Sequence, residues 1–239
     1  MTRILLVSLL ALLGCGETTV TTEEAPAAYD YYVTTEAPAE PWADVAGVFE
    51  LRDVGAGVQI EYPRHWHILT NDEISNTQSH GAAIAAEAGV VVEGRQTLFA
   101  INSAPQPSGA LMRLSTTFPA TVTQSVLEQA IQSGQEDELL QSIHDEFSSR
   151  FPPIMAQAGI TVSAIEPPEA VSVAGRPAVL IKYKRTSAVD GGLWEVRMYQ
   201  IAADDRMIEL TLSNRLSDRA IWTPILDRTL STLTIARAP

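Results

Sequence analysis

The chain has 239 residues, and its 29 acidic against 16 basic side chains give a formal net charge of −13. Such a balance, without any basic cluster, leaves little to neutralise phosphates and disfavours nucleic acid or an anionic lipid surface as a partner. A single cysteine, Cys15, excludes a disulfide within the chain.

The N-terminus has the pattern of a secretory signal. An apolar run over residues 4–13 follows Arg3 and ends at the stretch Leu12-Leu13-Gly14-Cys15. A positive start, a short apolar middle and a small residue before the cut predict a signal peptide over residues 1–14. The run is too short for a membrane helix, which needs about 20 residues. The stretch is similar to the lipobox of bacterial lipoproteins, which implies that Cys15 is lipidated and becomes the first residue of the mature protein.

A tether is predicted next, from the lipidated Cys15 to residue 44. Residues 16–44 contain seven acidic side chains and no lysine or arginine, and Thr, Ala and Pro fill most of the rest. Such a segment buries too little apolar surface to offset the entropy of ordering, so we expect a disordered linker. Its tyrosines are interpreted as part of a solvated spacer rather than a docking patch: Tyr29, Tyr31 and Tyr32. Some Gram-negative lipoproteins carry an Asp directly after the lipidated cysteine, which retains them in the inner membrane. Here that position is Gly16, which favours the outer membrane if the cell has one.

The rest of the chain, residues 45–239, has the length of one domain. In its first half, periodicity predicts a strand over 57–62, a strand or turn over 65–69, a helix over 71–88 and strands over 97–102 and 111–116. Helical spacing then predicts helices over 126–131 and 139–147, with Pro152-Pro153 as the stop.

An antiparallel sheet is predicted in the C-terminal third. Strands are expected over 160–165, 170–173, 178–185, 193–201 and 207–213, with a hairpin turn at Asp190-Gly191-Gly192. Alternation predicts an apolar face that meets the helices: Val179, Ile181, Tyr183, Trp194, Val196, Met198, Ile208, Leu210 and Leu212. It predicts a wetter face with cross-strand charge pairs: Lys182, Lys184, Glu195, Arg197 and Glu209. A last helix capped by Ser217 and a closing strand over 230–235 complete the prediction.

Four short stretches resemble PsbP-like proteins, a family that includes bacterial lipoproteins of the DcrB and LpqN types. They are Tyr62-Pro63-x-x-Trp66, Gly175-Arg176-Pro177-Ala178, Tyr199-Gln200 and Leu230-Ser231-Thr232-Leu233. The resemblance implies an α+β fold in which an antiparallel sheet is packed with helices as an α/β/α sandwich. It also implies a binding or assembly role, because the family has no shared catalytic residue that can be placed on this chain.

The tryptophans are interpreted mainly as core residues. Trp66, Trp194 and Trp222 fall on apolar faces of predicted elements. Trp42 lies at the end of the linker, where it either fastens the linker to the domain or is exposed to a partner.

A pair of histidines offers the one candidate metal site. His65 and His67 are two apart, which on a strand places both rings on one face and Trp66 on the other. Two such imidazoles bind zinc or copper if a third ligand converges, and His80 and His144 are the candidates. No HExxH motif or recognised ligand spacing occurs, so ordinary boundary histidines are the favoured interpretation. The sequence therefore predicts neither a metal nor another cofactor.

No catalytic motif stands out. The sequence contains no G-x-S-x-G motif, which would indicate the nucleophilic serine of a hydrolase. Gly55-Ala56-Gly57 precedes a strand instead of joining a strand to a helix, so it is not a dinucleotide-binding loop. Glu136-Asp137-Glu138 is typical of the first turn of a helix. The sequence therefore predicts a lipid-anchored, non-enzymatic envelope protein whose domain binds another envelope protein. The alternatives are a small-ligand or metal carrier with His65 and His67 in its pocket, and an unrecognised hydrolase with Ser or Asp beside a His in a deep pocket.

Overall fold

The computed structural model describes residues 45–87, 94–104, 108–120, 123–188 and 190–236. The predicted signal peptide, Cys15, the linker with its tyrosines and Trp42 lie outside the described residues. The elements follow in this order: β1 (Phe49–Gly55), β2 (Val58–Pro63), β3 (His67–Ile68), α1 (Asn71–Glu87), β4 (Arg95–Asn102), β5 (Ala110–Thr117), α2 (Gln124–Ser133), α3 (Glu136–Gln157), β6 (Val162–Ser163), β7 (Glu169–Val173), β8 (Arg176–Thr186), β9 (Leu193–Ala203), β10 (Arg206–Arg215), α4 (Arg219–Ser231) and β11 (Thr234–Ile235).

Two antiparallel sheets organise these elements. The large sheet has the order β3-β4-β5-β10-β9-β8-β6, with β7 also paired to β8, and the small sheet has the order β1-β2-β11. The predicted fold class, an antiparallel sheet packed with helices, is confirmed. The predicted helix over 71–88 is α1, and the hairpin predicted over 178–201 is β8 and β9. Strand β1, which pairs with β2, was not predicted.

Helices cover both faces of the large sheet. On one face α2 and α3 bury an aromatic cluster, in which Phe147 and Phe151 pack against Tyr183 of β8. On the other face α4 and the small sheet bury Trp222 and Trp66, whose rings meet edge to face at 5.9 Å. Trp194 is also buried, so the prediction that these three tryptophans lie in the core is confirmed. No helix within the described ranges has both the length and the apolar composition that crossing a bilayer requires.

The predicted orientation of β10 is wrong. Leu210 lies opposite Tyr199 of β9, whereas Met198, which packs in the cluster under α3, lies opposite Thr211. The apolar residues of β10 therefore face α4 and the small sheet: Ile208, Leu210 and Leu212. Glu209, expected on the wetter face, is only 1% exposed. Because both faces of this strand are covered, alternation alone does not tell which face meets which helices.

Two predicted helix boundaries are also wrong. Helix α3 runs through Pro152-Pro153 and ends at Gln157, because Ile154 and Met155 are buried in the core beyond the prolines. Packing of these side chains outweighs the loss of backbone hydrogen bonds at the prolines. The N-cap of α4 is Asp218 rather than Ser217, and its side chain makes no capping hydrogen bond.

The predicted hairpin turn between β8 and β9 is held by Asp190. Its carboxylate accepts hydrogen bonds from Arg215 Nη1 at 2.5 Å and from the backbone N–H of Gly192 at 3.0 Å. The hydrogen bond from Arg215, followed by those with Gly192 and Ser187, lowers the pKa of Asp190 to about 2. The turn is thereby joined to the end of β10.

Candidate functional site

A cavity of about 170 Å³ lies between α1 and strands β4 and β5. Its apolar lining comes from the end of β3, from α1 and from β4: Leu69, Ile74, Ala82 and Ala100. Its polar lining comes from α1 and from the sheet: Thr77, Gln78, Arg95, Thr97, Arg113 and Ser115. The volume has room for on the order of ten water molecules or for one small organic molecule.

Helix α1 forms one wall of the cavity. Its sequence contains a strong signal for the start of a helix, but some of its side chains are too small to fill the space beside the sheet. Thr70 and Glu73 form a capping box, in which the Thr70 N–H donates to Glu73 Oε2 at 2.7 Å and the Glu73 N–H donates to Thr70 Oγ1 at 3.3 Å. The hydrogen bond from the Thr70 backbone lowers the pKa of Glu73 below its ordinary value. Further along, the side chain of Ala82 lines the cavity but is too small to fill it.

The floor of the cavity continues into a buried polar layer of the sheet. On the face turned toward α1, strands β5 and β10 carry polar side chains that are nearly inaccessible to solvent: Arg113, Ser115, Glu209, Thr211 and Ser213. Arg95 of β4 donates through Nη2 to Ser115 Oγ at 2.6 Å and to Glu209 Oε1 at 2.5 Å. The Arg95–Glu209 pair is a buried salt bridge, with side chains 7% and 1% exposed.

Arg113 is fixed in this floor by the backbone of its own sheet. Its Nη1 donates to the carbonyl oxygens of Ile101 at 2.7 Å and Met112 at 2.9 Å, and its Nη2 donates to Asn102 Oδ1 at 2.7 Å. Since all three acceptors belong to β4 or β5, these hydrogen bonds hold the guanidinium in one orientation.

Beside Arg113, the polar layer contains buried groups without a hydrogen-bond partner. Thr211 lies directly opposite Arg113 in the register, and its Oγ1 makes no hydrogen bond. The same holds for Ser213 Oγ and for Gln200 Nε2 on the neighbouring strand. Buried polar atoms in folded proteins are normally satisfied by protein, water or a ligand. This layer therefore has hydrogen-bonding capacity that the described protein groups do not use.

Of the histidines considered as metal ligands, His65, His67 and His144 are not part of the cavity lining. His65 is an exposed residue of the turn before β3, and His67 Nε2 lies 3.2 Å from Glu73 Oε1 at the start of α1. His144 belongs to α3, and the side chain of His80 lies outside the described residues. In the part of the chain that the structure describes, no group of three or more His, Cys, Asp or Glu could hold a metal ion. Neither His65 nor His67 lines the cavity.

The arrangement that a hydrolase needs is not found in the described ranges. Among the described side chains, no hydrogen bond joins a serine or an aspartate to a histidine. The histidine side-chain hydrogen bond found among them joins His67 to Glu73. A nucleophile in such an enzyme lies within hydrogen-bond reach of its base. The described lining of the cavity contains two arginines, hydroxyl groups and an amide, all of which can form hydrogen bonds to a ligand.

Comparison with known proteins finds partial likenesses among solved structures. No family model matches the sequence, and no curated protein matches it significantly. Cyanobacterial PsbP from Synechocystis is 13% identical with a TM-score of 0.44, over 80% of this chain and 95% of that one. LpqN of Mycobacterium tuberculosis, described as involved in cell envelope biogenesis, is 12% identical with a TM-score of 0.40, over 75% of this chain and 83% of that one.

A protein from Bacteroides thetaiotaomicron is 10% identical with a TM-score of 0.39, over 76% of this chain. The chain spans 46% of the length of that protein. At these identities and TM-scores the likenesses say nothing about function, so the function has to be argued from the cavity.

Proposed function

We propose that this chain is a lipid-anchored, non-enzymatic binding protein of the cell envelope, and that its ligand occupies the cavity between α1 and strands β4 and β5. The observation that carries the proposal is a mainly apolar cavity between α1 and the large sheet, with a few buried polar groups of β4 and β5 in its lining. Small-molecule sites combine a mostly apolar lining with a few fixed polar groups in this way. The structure thus favours a small ligand over the protein partner expected from the sequence, and that partner stays a prediction.

The envelope location rests on the sequence. Each buried methylene contributes about 0.8 kcal/mol to membrane binding, so two or more acyl chains on Cys15 would hold the protein firmly. The acidic segment over 16–44 would then separate the domain from the lipid headgroups. The mass of the mature N-terminal peptide tests the anchor: we expect it to begin at an acylated Cys15, and an unmodified peptide would contradict it.

Replacing Ala100 by leucine tests the cavity. Ala100 is 1% exposed and lines the cavity, so the larger side chain would occupy the space that a ligand needs. We expect native mass spectrometry of the protein released from envelopes to find a bound small molecule on the wild type. The bound fraction should fall by about tenfold or more in the Ala100→Leu variant.

The matched control is Ala83→Leu, which makes the same change on the exposed side of α1, away from the cavity lining. This variant should retain the ligand as the wild type does. Equal retention by the Ala100→Leu variant would show that the molecule is bound elsewhere.

A further inference from the structure

We infer that strand β7 binds an extended segment of another protein, apolar in its middle and basic at its ends, as an added strand of the large sheet. This interaction surface goes beyond the proposed function, because its lining shares no residue with the cavity between α1 and strands β4 and β5. The outward backbone groups of β7, the clefts on its two sides and the charge of those clefts point to this partner.

Strand β7 lies at an edge of the large sheet. Among the described elements it pairs with β8 alone, and its residues Glu169, Ala170 and Ser172 are exposed. The row of backbone N–H and C=O groups at such an edge is a template for pairing with another chain. Pro167-Pro168 directly precede the strand, so an added segment would pair with β7 over a few residues only.

The register of the β7–β8 hairpin fixes which backbone groups of β7 point outward. The hairpin closes through the two-residue turn Ala174-Gly175, in which both residues have positive φ, so the pair that flanks the turn is hydrogen-bonded. The next pair, Ser172 and Pro177, is then non-hydrogen-bonded, which agrees with the missing N–H of Pro177. By the same alternation, the N–H and C=O groups of Ser172 and Ala170 point away from β8 and toward an added strand.

Clefts of different size lie on the two sides of this edge. On the side of α4, a groove of about 310 Å³ has an apolar lining from β7, β9 and the end of the helix: Val171, Val173, Ala174, Tyr199, Leu230 and Leu233. On the other side, a depression of about 10 Å³ between α2, α3 and β8 reaches Ala170. Successive side chains of a strand point to opposite faces. An added segment would therefore place larger apolar side chains in the groove and small ones over the depression.

The charge around the edge distinguishes between possible partners. The charged residues in the described linings of the groove and the depression are Asp227 and Glu136, and β7 itself carries Glu169. All three are acidic, with Asp227 paired to Arg197 and Glu169 paired to Lys182. A second copy of this chain, whose net charge is −13, would bring the same acidic groups together. A segment with lysines at the ends of its apolar stretch complements them instead.

Three fluorescently labelled peptides of equal length test the added strand. The first has lysine at both ends and valine alternating with alanine between them. The second has glutamate in place of lysine, and the third is the lysine peptide with its alanines N-methylated, which removes the N–H groups that would face β7. Fluorescence polarisation with the full chain, carrying Cys15→Ser to prevent lipidation, would measure the affinities.

We expect the lysine peptide to bind about tenfold more tightly than either of the other two. Equal binding of the N-methylated peptide would show that no backbone pairing takes place and would overturn the inference. Equal binding of the glutamate peptide, or no binding of the lysine peptide, would overturn it as well.

Two pairs of variants locate the lysine peptide on β7. Ser172→Pro removes an outward N–H, whereas Ser172→Ala changes the side chain and keeps that N–H. Ser231→Leu narrows the groove from the exposed end of α4, whereas Ser133→Leu makes the same change at the exposed end of α2, outside both linings. We expect the first variant of each pair to weaken the lysine peptide by about tenfold and the second to leave its affinity unchanged.

Equal affinity within both pairs would place the peptide elsewhere and overturn the inference. Thermal unfolding followed by circular dichroism checks that each variant is folded. Because Ser231 lies outside the sheet, Ser231→Leu decides the question even if Ser172→Pro unfolds the protein. Analytical ultracentrifugation of the chain without peptide tests the competing occupant: a dimer that Ser172→Pro dissociates would assign the edge to a second copy and overturn the inference.

Discussion

Replacing Glu209 by alanine is expected to lower the free energy of unfolding by about 3–5 kcal/mol. The Glu209 carboxylate is 1% exposed, and its Oε1 accepts a hydrogen bond from Arg95 Nη2 at 2.5 Å. Without it the buried Arg95 guanidinium would lose its carboxylate partner, which is the main source of the loss. Urea denaturation followed by circular dichroism would measure the change.

A more exposed salt bridge provides the control. Arg197 pairs with Asp227, whose side chain is 51% exposed. Asp227→Ala should cost less than about 1 kcal/mol because solvent screens the pair. Replacing both buried partners, by Arg95→Met and Glu209→Leu together, should recover much of the loss, since neither charge of the pair is then left buried without the other. Similar losses for Glu209→Ala and Asp227→Ala would contradict the account of the buried pair.

Gly94→Ala is expected to lower the free energy of unfolding by roughly 2–5 kcal/mol. Gly94 has φ +68°, and a Cβ there would lie 1.9 Å from the backbone oxygen of Phe118. The left-handed backbone contributes about 1–2 kcal/mol of this, and the displacement of a packed backbone contributes the rest. Because Gly94 directly precedes Arg95, the close approach also sets where β4 starts at the cavity floor.

The same substitution at Gly175 separates the two contributions. Gly175 has φ +71°, and nothing lies within 4 Å of the position of a Cβ. Gly175→Ala should therefore cost only the backbone part, about 1–2 kcal/mol, in the same denaturation measurement. If both alanine variants lose the same free energy of unfolding, the close approach to Phe118 does not contribute to the loss in Gly94→Ala.

Strands with one simple pattern could be predicted from the sequence. Val58, Ile60 and Tyr62 alternate with polar residues along β2 of the small sheet, and all three side chains are buried in the core. The hairpin between β8 and β9 was predicted because Asp190-Gly191-Gly192 supplies the turn that the flanking pattern needs. In such segments the pairing information is local, so periodicity is sufficient.

The buried polar layer could not be predicted, because its partners are distant in sequence. Glu209 and Arg95 are separated by 114 positions, and each alone is an ordinary polar strand residue. Alternation on β10 shows which residues share a face, but the assignment of that face depends on what covers it. The cavity likewise depends on α1, whose small side chains leave space above β4 and β5.

One signal at the site was present in the sequence and was not used. Thr70-x-x-Glu73 has the spacing of a capping box and marks the start of α1 within one residue. His67, considered as a metal ligand, lies beside the same Glu73. A histidine near a helix start is thus explained here by a local contact rather than by a ligand set.

We expect the cavity between α1 and strands β4 and β5 to hold the ligand. An X-ray structure of the protein purified from its native envelope tests this most directly. The account predicts electron density for a small non-protein molecule within hydrogen-bond distance of Arg113 or Ser115. Density for such a molecule at another surface, with only water in the cavity, would contradict it.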